Sequence, residues 1–307
     1  MRVEIRESPA APDQAQRRLG ALAPAFRLDR WEPGRRAVYA ADDNAPGGRP
    51  LLDGVEIEMG RPLREQSIDL GVGRADVVEL GPEELRRQGA GRRLWSSAPV
   101  RVVTLLFHPR IEDVRLREAL ALAVDRAAIH NVLLQRQGEV SAALLPQWIS
   151  GYAFLFPAAQ DLARARSLAA SIPAAGRRLT LAAEDTAMQP IAERIALNAR
   201  DAGLSVTVMP RGADADVRLL APYVASADAA RALAGLAAAL GLPEPPRTDP
   251  PEALYAAERA LLEGFRAVPL FHLPDIYGPG LRVKGGAGVT PLGEWRFENL
   301  WVESGRP

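Results

Sequence analysis

Residues 112–138, EDVRLREALALAVDRAAIHNVLLQRQG, constrain the chain more than any other stretch, because their pattern fits two helices in succession. Leu116, Ala119, Leu120 and Ala123 recur at helical spacing and give the first helix one apolar face. Asp113 stands at its N-cap position, and Asp125 interrupts the run where a second helix needs a cap of its own. Ile129, Val132 and Leu133 supply the second apolar face. Gly138 then stands where a left-handed C-cap residue is expected.

The flanking segments read as strands and helices that such a pair would cover. Residues 101–107 are almost continuously apolar, the signature of a central strand buried on both faces. Residues 26–31 and 35–40 flank a Glu-Pro-Gly turn and predict a hairpin. Val55, Ile57 and Met59 alternate with Glu56 and Glu58, a strand with one buried face. A short helix over 63–70, a strand over 76–80 and a helix opened by Pro82 follow. Beyond Gly138 comes an aromatic loop in which Phe154 and Phe156 read as core, while Trp148 and Tyr152 suit either loop packing or a ligand surface. Helices over 161–170, 188–202, 229–240 and 251–264 then alternate with strands over 179–183, 204–209, 217–221 and 268–273. This alternation implies an α/β protein with mixed or parallel sheets covered by helices.

Several function classes are excluded. With a net charge of 0 and a pI near 6.9, the chain carries no nucleic-acid footprint. It has no cysteine, which removes disulfides, thiolate metal ligands and a Cys nucleophile together. His108, His130 and His272 lie far apart in apolar contexts, and nothing in their spacing suggests a metal site. No G-x-S-x-G, P-loop or H-E-x-x-H is found. The expectation is therefore a protein that is not an enzyme, with no catalytic residue, no cofactor and no metal. No run reaches the roughly 18 apolar residues of a membrane span. The start, MRVEIRESPAAPDQAQRR, lacks the apolar core of about 7–15 residues that a secretory signal needs.

The order of residues carries a resemblance. Asp113-Val-Arg-x-Arg-x-Ala-Leu followed by Ala-x-Asp125-Arg-x-x-Ile, then Val268-Pro-Leu-Phe-His-Leu-Pro-Asp-Ile-Tyr, Arg282-Val-Lys-Gly and Trp295-Arg-Phe-Glu-Asn-Leu-Trp, resemble the family 5 extracellular solute-binding proteins. Trp31-Glu-Pro-Gly, Gly47-Gly-Arg-Pro-Leu-Leu-Asp and Gly73-Arg-Ala-Asp-Val-Val are similar to the same family's first lobe. These are the peptide-, nickel- and sugar-binding receptors of ABC importers. The resemblance implies a two-lobed, periplasmic-binding-protein type II-like α/β fold, with mixed sheets covered by helices and two crossovers, near residues 107–113 and 269–274. It implies an N-terminal extension over 1–24, a partial first lobe over 25–107 plus 270–307, and a second lobe over 108–269. Family receptors are longer, and the part of their first lobe before the hairpin has no counterpart here.

By resemblance, the partners are a peptide or small-molecule ligand and the membrane subunits of an ABC permease, with no nucleic acid, and the location is periplasmic or extracellular. A homo-oligomer is compatible with the absence of that first-lobe part. Without a leader in this chain, a cytoplasmic ligand sensor or a truncated relative acting as a protein–protein interaction module stays open. Peptide-binding members pair the ligand's amino terminus with an acidic residue that follows a strand and an aromatic. Tyr223 and Asp228 are the positions that match, and Asp228 also stands where the helix from Ala229 needs its N-cap. Trp148 and Tyr152 complete the expected ligand-binding set. Arg115 and Arg117, although on the motif, suit an ion-pair network at the helix start.

Overall fold

The computed structural model describes residues 2–6, 22, 24–88, 93–152, 154–248 and 250–303. The chain divides into two compact units, residues 1–98 with 274–307 and residues 99–273. Residues 101–107 and the strand ending at Leu273 both belong to the second unit, because they pair with each other there.

The first unit opens with β1 (Arg2–Arg6), so the expected N-terminal extension contains a sheet strand. β2 (Phe26–Glu32) and β3 (Arg36–Ala41) form the hairpin, closed by the Arg35 N–H donating to Glu32 O at 3.0 Å. In β4 (Gly54–Glu58), Val55 and Ile57 are fully buried. α1 (Leu63–Gly71), β5 (Val77–Glu79), α2 (Pro82–Gln88) and β6 (Trp95–Ser96) follow. Pro82 starts its helix because the first helical residue needs no N–H donor.

The second unit begins with β7 (Arg101–Phe107), where Val102, Val103, Thr104 and Leu105 are fully buried, as the apolar run predicts. Both signature helices form with their caps. In α3 (Val114–Ala123), Asp113 Oδ1 accepts the Arg115 N–H at 2.9 Å, and in α4 (Arg126–Val132), Asp125 Oδ1 accepts the Ala128 N–H at 2.9 Å. Arg115 pairs with Asp113 at 2.7 Å and Arg117 donates to Gly264 O and Ile111 O, so both motif arginines tie down local backbone. Gly138 does not cap α4, which ends at Val132 and is followed by left-handed Gln135 and Arg136. Gly138, at φ +70°, instead lets the chain pass the next strand closely: a Cβ there would lie 2.2 Å from His272 O.

β8 (Glu139–Val140), α5 (Gln147–Ser150), α6 (Leu162–Ala170), β9 (Arg178–Ala183), α7 (Gln189–Asp201), β10 (Ser205–Met209), β11 (Val217–Leu220), α8 (Ala229–Ala239), α9 (Pro251–Leu262) and β12 (Ala267–Leu273) complete the second unit. Its sheet runs β10-β9-β11-β7-β12-β8. β9 is parallel to β10 and β11, and β7 is antiparallel to β11 and β12. The amphipathic α7 buries Ile191, Ala192, Ile195 and Ala199 in the same core as Val103, Leu105 and Phe107.

The chain returns to the first unit through β13 (Ile276–Pro279), β14 (Val283–Lys284) and β15 (Trp301–Val302). The first sheet runs β2-β3-β4-β1-β5-β13-β6, with β1 parallel to both neighbours and β13 antiparallel to both of its own. Its core holds Trp95, Tyr277, Trp295 and Phe297, with the rings of Trp295 and Phe297 stacked at 5.4 Å. Among the described residues no helix is long and apolar enough to cross a membrane.

Candidate functional site

All four expected ligand-binding residues fall in the second unit, and two of them converge. The stretch 99–102, which leads into and opens β7, receives both Trp148 and Tyr223. The Trp148 indole N–H donates to Pro99 O at 3.1 Å. The backbone of Tyr223 bridges antiparallel to Arg101, with the Val102 N–H on Pro222 O at 2.9 Å and the Val224 N–H on Val100 O at 2.8 Å. This pairing carries the sheet contact of β11 beyond its own end. The same stretch also meets the end of β12, through the Val100 N–H on Leu273 O at 3.0 Å.

Trp148 reaches this place because Pro146 ends an extended segment and α5 makes a single turn closed by left-handed Gly151. Trp148 is 40% exposed, with its side chain's one polar atom satisfied by Pro99, so it offers a held aromatic surface. Tyr223 is half-buried.

Tyr152 faces a different partner. Its hydroxyl donates to Glu258 Oε2 at 2.5 Å, and its ring meets Tyr255 edge-on at 5.2 Å. Asp228 is separate again: it is exposed, and its Oδ1 accepts the Arg231 N–H at 2.8 Å as the N-cap of α8. Of the remaining loop aromatics, Phe154 is 51% exposed and so is not core. Phe156 is half-buried against Phe265, with ring centroids 6.2 Å apart.

Glu258 organises the loop, and sequence reasoning passed over it. It lies on the buried stripe of α9 with Leu254, Ala257 and Leu262, and is itself fully buried. Its Oε1 accepts the N–H groups of Leu144 and Leu145, the latter at 3.0 Å. Burial pushes its pKa up to about 7, against the downward pull of Tyr152 and the two backbone donors. Tyr152 is raised well above its ordinary value, by its own burial and then by the neighbouring carboxylate. The signal was present in sequence: an acidic residue on the apolar face of an amphipathic helix.

His272 pins the other side of the same segment. Its Nε2 lies 2.9 Å from Ala143 O, and burial pulls its pKa down to about 4. A neutral ring at pH 7 therefore donates to that carbonyl. Ser141 adds a hydroxyl bond to Ala143 O at 2.9 Å, and its own N–H donates to Leu270 O at 2.9 Å. Glu258 and His272 together hold residues 141–145, the root of the loop that presents Trp148. His130 and His108 make local backbone contacts, to Gly138 O and from the Arg110 N–H. Among the described residues no group of three or more His, Asp or Glu side chains is placed to hold a metal ion.

A rigid aromatic surface beside paired extended backbone suits non-covalent recognition. The comparisons with known proteins agree in fold. The chain is similar to the dipeptide-binding protein from Pseudoalteromonas sp. SM9913 in complex with Met-Leu (TM-score 0.73, 13% identity, 91% of this chain and 64% of that one). It is similar to the oligopeptide-binding protein AppA from Bacillus subtilis in complex with a nonapeptide (TM-score 0.71, 14% identity, 91% and 66%). NikA from Staphylococcus aureus in complex with Ni(L-His)2 gives a TM-score of 0.75 at 13% identity, with 91% and 68% covered. The chain thus spans 64% to 68% of the length of these three structures. No curated protein matches it. The fold is the two-lobed α/β fold of type II periplasmic binding proteins. The family model for bacterial extracellular solute-binding proteins, family 5 middle, matches residues 23–235, more than half of the sequence, and the chain belongs to that family.

Proposed function

We propose that this chain is the solute-binding component of an ABC-type importer and takes a peptide or a similarly small polar solute. The observation that carries the reading is the family match over residues 23–235. The names of similar structures state Met-Leu, a nonapeptide and Ni(L-His)2 as ligands of those proteins, which favours a short peptide or an amino-acid-like solute here. The permease membrane subunits are then its partners, and its place is the periplasm or cell exterior. Binding, with no covalent step, is the whole of its chemistry.

In this reading the face built on 99–102 meets the ligand. The half-exposed Trp148 ring offers contact area at little entropic cost, because its indole N–H is already bonded to Pro99. Tyr223 stands beside the same stretch. Tyr152 supports the loop through Glu258 and contributes indirectly. Asp228 caps α8 with one carboxylate oxygen, and its exposed position leaves the charge accessible to a ligand amine.

The test is thermal unfolding of the full chain with pools of di- to pentapeptides and, separately, with nickel–histidine. A ligand present at about 100 times its dissociation constant adds roughly 2.7 kcal/mol to the native state. The reading expects one pool to raise the midpoint by several degrees, saturably. A cooperative transition indifferent to every pool overturns it.

A further inference from the structure

Arg126, the first residue of α4, is the most unusual charge in the second unit. It is 5% exposed, and among the described residues it forms no ion pair. A guanidinium carries five N–H groups in a planar fork. Here Nη1 donates to Ala121 O and Ala158 O, each at 3.4 Å, and Nη2 donates to Pro269 O at 3.2 Å. These are long bonds to neutral acceptors, and Nε finds no acceptor at all. Burial lowers the pKa only to about 10, so the side chain stays cationic at neutral pH. A buried cation without a counter-ion is costly, and proteins resolve the cost by pairing it.

The pairing partner has space. Arg126 lines a cavity of about 260 Å³ whose walls include Leu122, Phe156, Leu262 and Phe265. Two carboxylates and a second guanidinium, Arg164, also line the cavity. Glu118 pairs with Arg164 at 2.5 Å, and Asp161 accepts the Arg164 N–H as the cap of α6. None of Trp148, Tyr152, Tyr223 and Asp228 lines this cavity.

We propose that the cavity is a second ligand site, for a small amphipathic monocarboxylate: its carboxylate meets Arg126 and its apolar body fills the space against Leu122, Phe156, Leu262 and Phe265. One buried guanidinium matches one negative charge and offers a fork suited to a carboxylate. Apolar walls select a hydrocarbon or aromatic body over a fully hydrated anion such as inorganic phosphate. The volume accommodates a ligand on the scale of benzoate or a six-carbon fatty acid.

The experiment is titration calorimetry and thermal unfolding of the full chain with benzoate and hexanoate, with benzyl alcohol and inorganic phosphate as controls. The proposal expects saturable one-to-one binding of at least one carboxylate with a raised midpoint, and no response to benzyl alcohol or phosphate at equal concentration. Arg126→Met is expected to weaken carboxylate binding at least tenfold. Should that variant fail to fold, Ala159→Trp decides, because Ala159 is an exposed residue of the cavity lining and a large ring there closes the cavity while leaving Arg126 in place. The proposal expects Ala159→Trp to abolish the response. Absence of carboxylate binding, an equal response to benzyl alcohol, or undiminished binding in Ala159→Trp overturns it.

Discussion

Glu258→Gln separates two buried titrations that oppose each other in the native protein. Burial raises the Glu258 pKa from 4.5 to about 7. Between those values the native state holds a proton that the unfolded chain has released. Stability from this group is therefore complete below pH 4.5 and is lost as pH rises through 7. His272 runs the other way, its native pKa depressed from 6.5 to about 4. The unfolded chain takes up a proton in that window that the native ring refuses, so this contribution is present above pH 6.5 and lost as pH falls toward 4. At 1.36 kcal/mol per pK unit each group moves stability by about 3 kcal/mol, and the two slopes nearly cancel between pH 4.5 and 6.5.

Gln keeps one acceptor oxygen for the Leu144 and Leu145 N–H groups and, like the protonated acid, offers a donor toward the Tyr152 hydroxyl. It cannot ionise, so the variant exposes the His272 slope alone and gains stability from pH 4 to 6.5. Subtracting wild type from variant removes the other titrating groups. That difference should shift in favour of the variant by about 3 kcal/mol between pH 4.5 and pH 8. The assay is urea unfolding followed by circular dichroism at half-unit pH steps. A difference that stays flat over this range, or shifts against the variant, would refute the reasoning by showing that the three hydrogen bonds outweigh burial.

Other consequences follow from the same geometry. Tyr152→Phe removes a hydroxyl donor to a carboxylate and should cost roughly 1.5–3 kcal/mol at pH 8 and less at pH 5, where Glu258 is protonated; urea midpoints at the two pH values check this. Gly138→Ala forces a Cβ against His272 O in a left-handed backbone and should cost about 2–3 kcal/mol in the same assay. Asp125→Ala removes the α4 cap for about 1 kcal/mol, whereas Asp125→Asn retains most of it. Asp228→Asn keeps the α8 cap while deleting the charge, so it should leave the unfolding midpoint in place and weaken peptide binding in titration calorimetry.

Local patterns were legible in the sequence, and long-range pairing was not. Asp113 and Asp125 marked their helices because capping is a short-range hydrogen bond between neighbours in the chain. The apolar run of residues 101–107 announced a strand buried on both faces. Which unit owns that strand depends on its pairing with β11 and β12, more than a hundred residues away, and no local pattern encodes it. β1 was missed because Pro- and Arg-rich neighbours masked the alternation of Val3 and Ile5 with charged residues, although these five residues pair in parallel with β4. Gly138 was identified as a special backbone position for the wrong reason, since close passage by His272 and a C-cap select the same residue. Within the site, the aromatic loop stood out by composition, whereas Glu258 and the unpaired Arg126 became informative only once their burial was known.

The central claim, that this chain binds a solute through the face at 99–102, is tested most directly by titration calorimetry of the best peptide pool, resolved to single peptides, against wild type and Trp148→Ala. Trp148 is 40% exposed and its one hydrogen bond is to Pro99 O, so the substitution should move the unfolding midpoint little. The account predicts a saturable one-to-one isotherm for wild type and an affinity lower by about tenfold or more for the variant, a loss of roughly 1.4 kcal/mol. A saturable isotherm unchanged by Trp148→Ala would contradict the placement of the site, and the absence of saturable heat with any peptide or nickel–histidine would contradict the function.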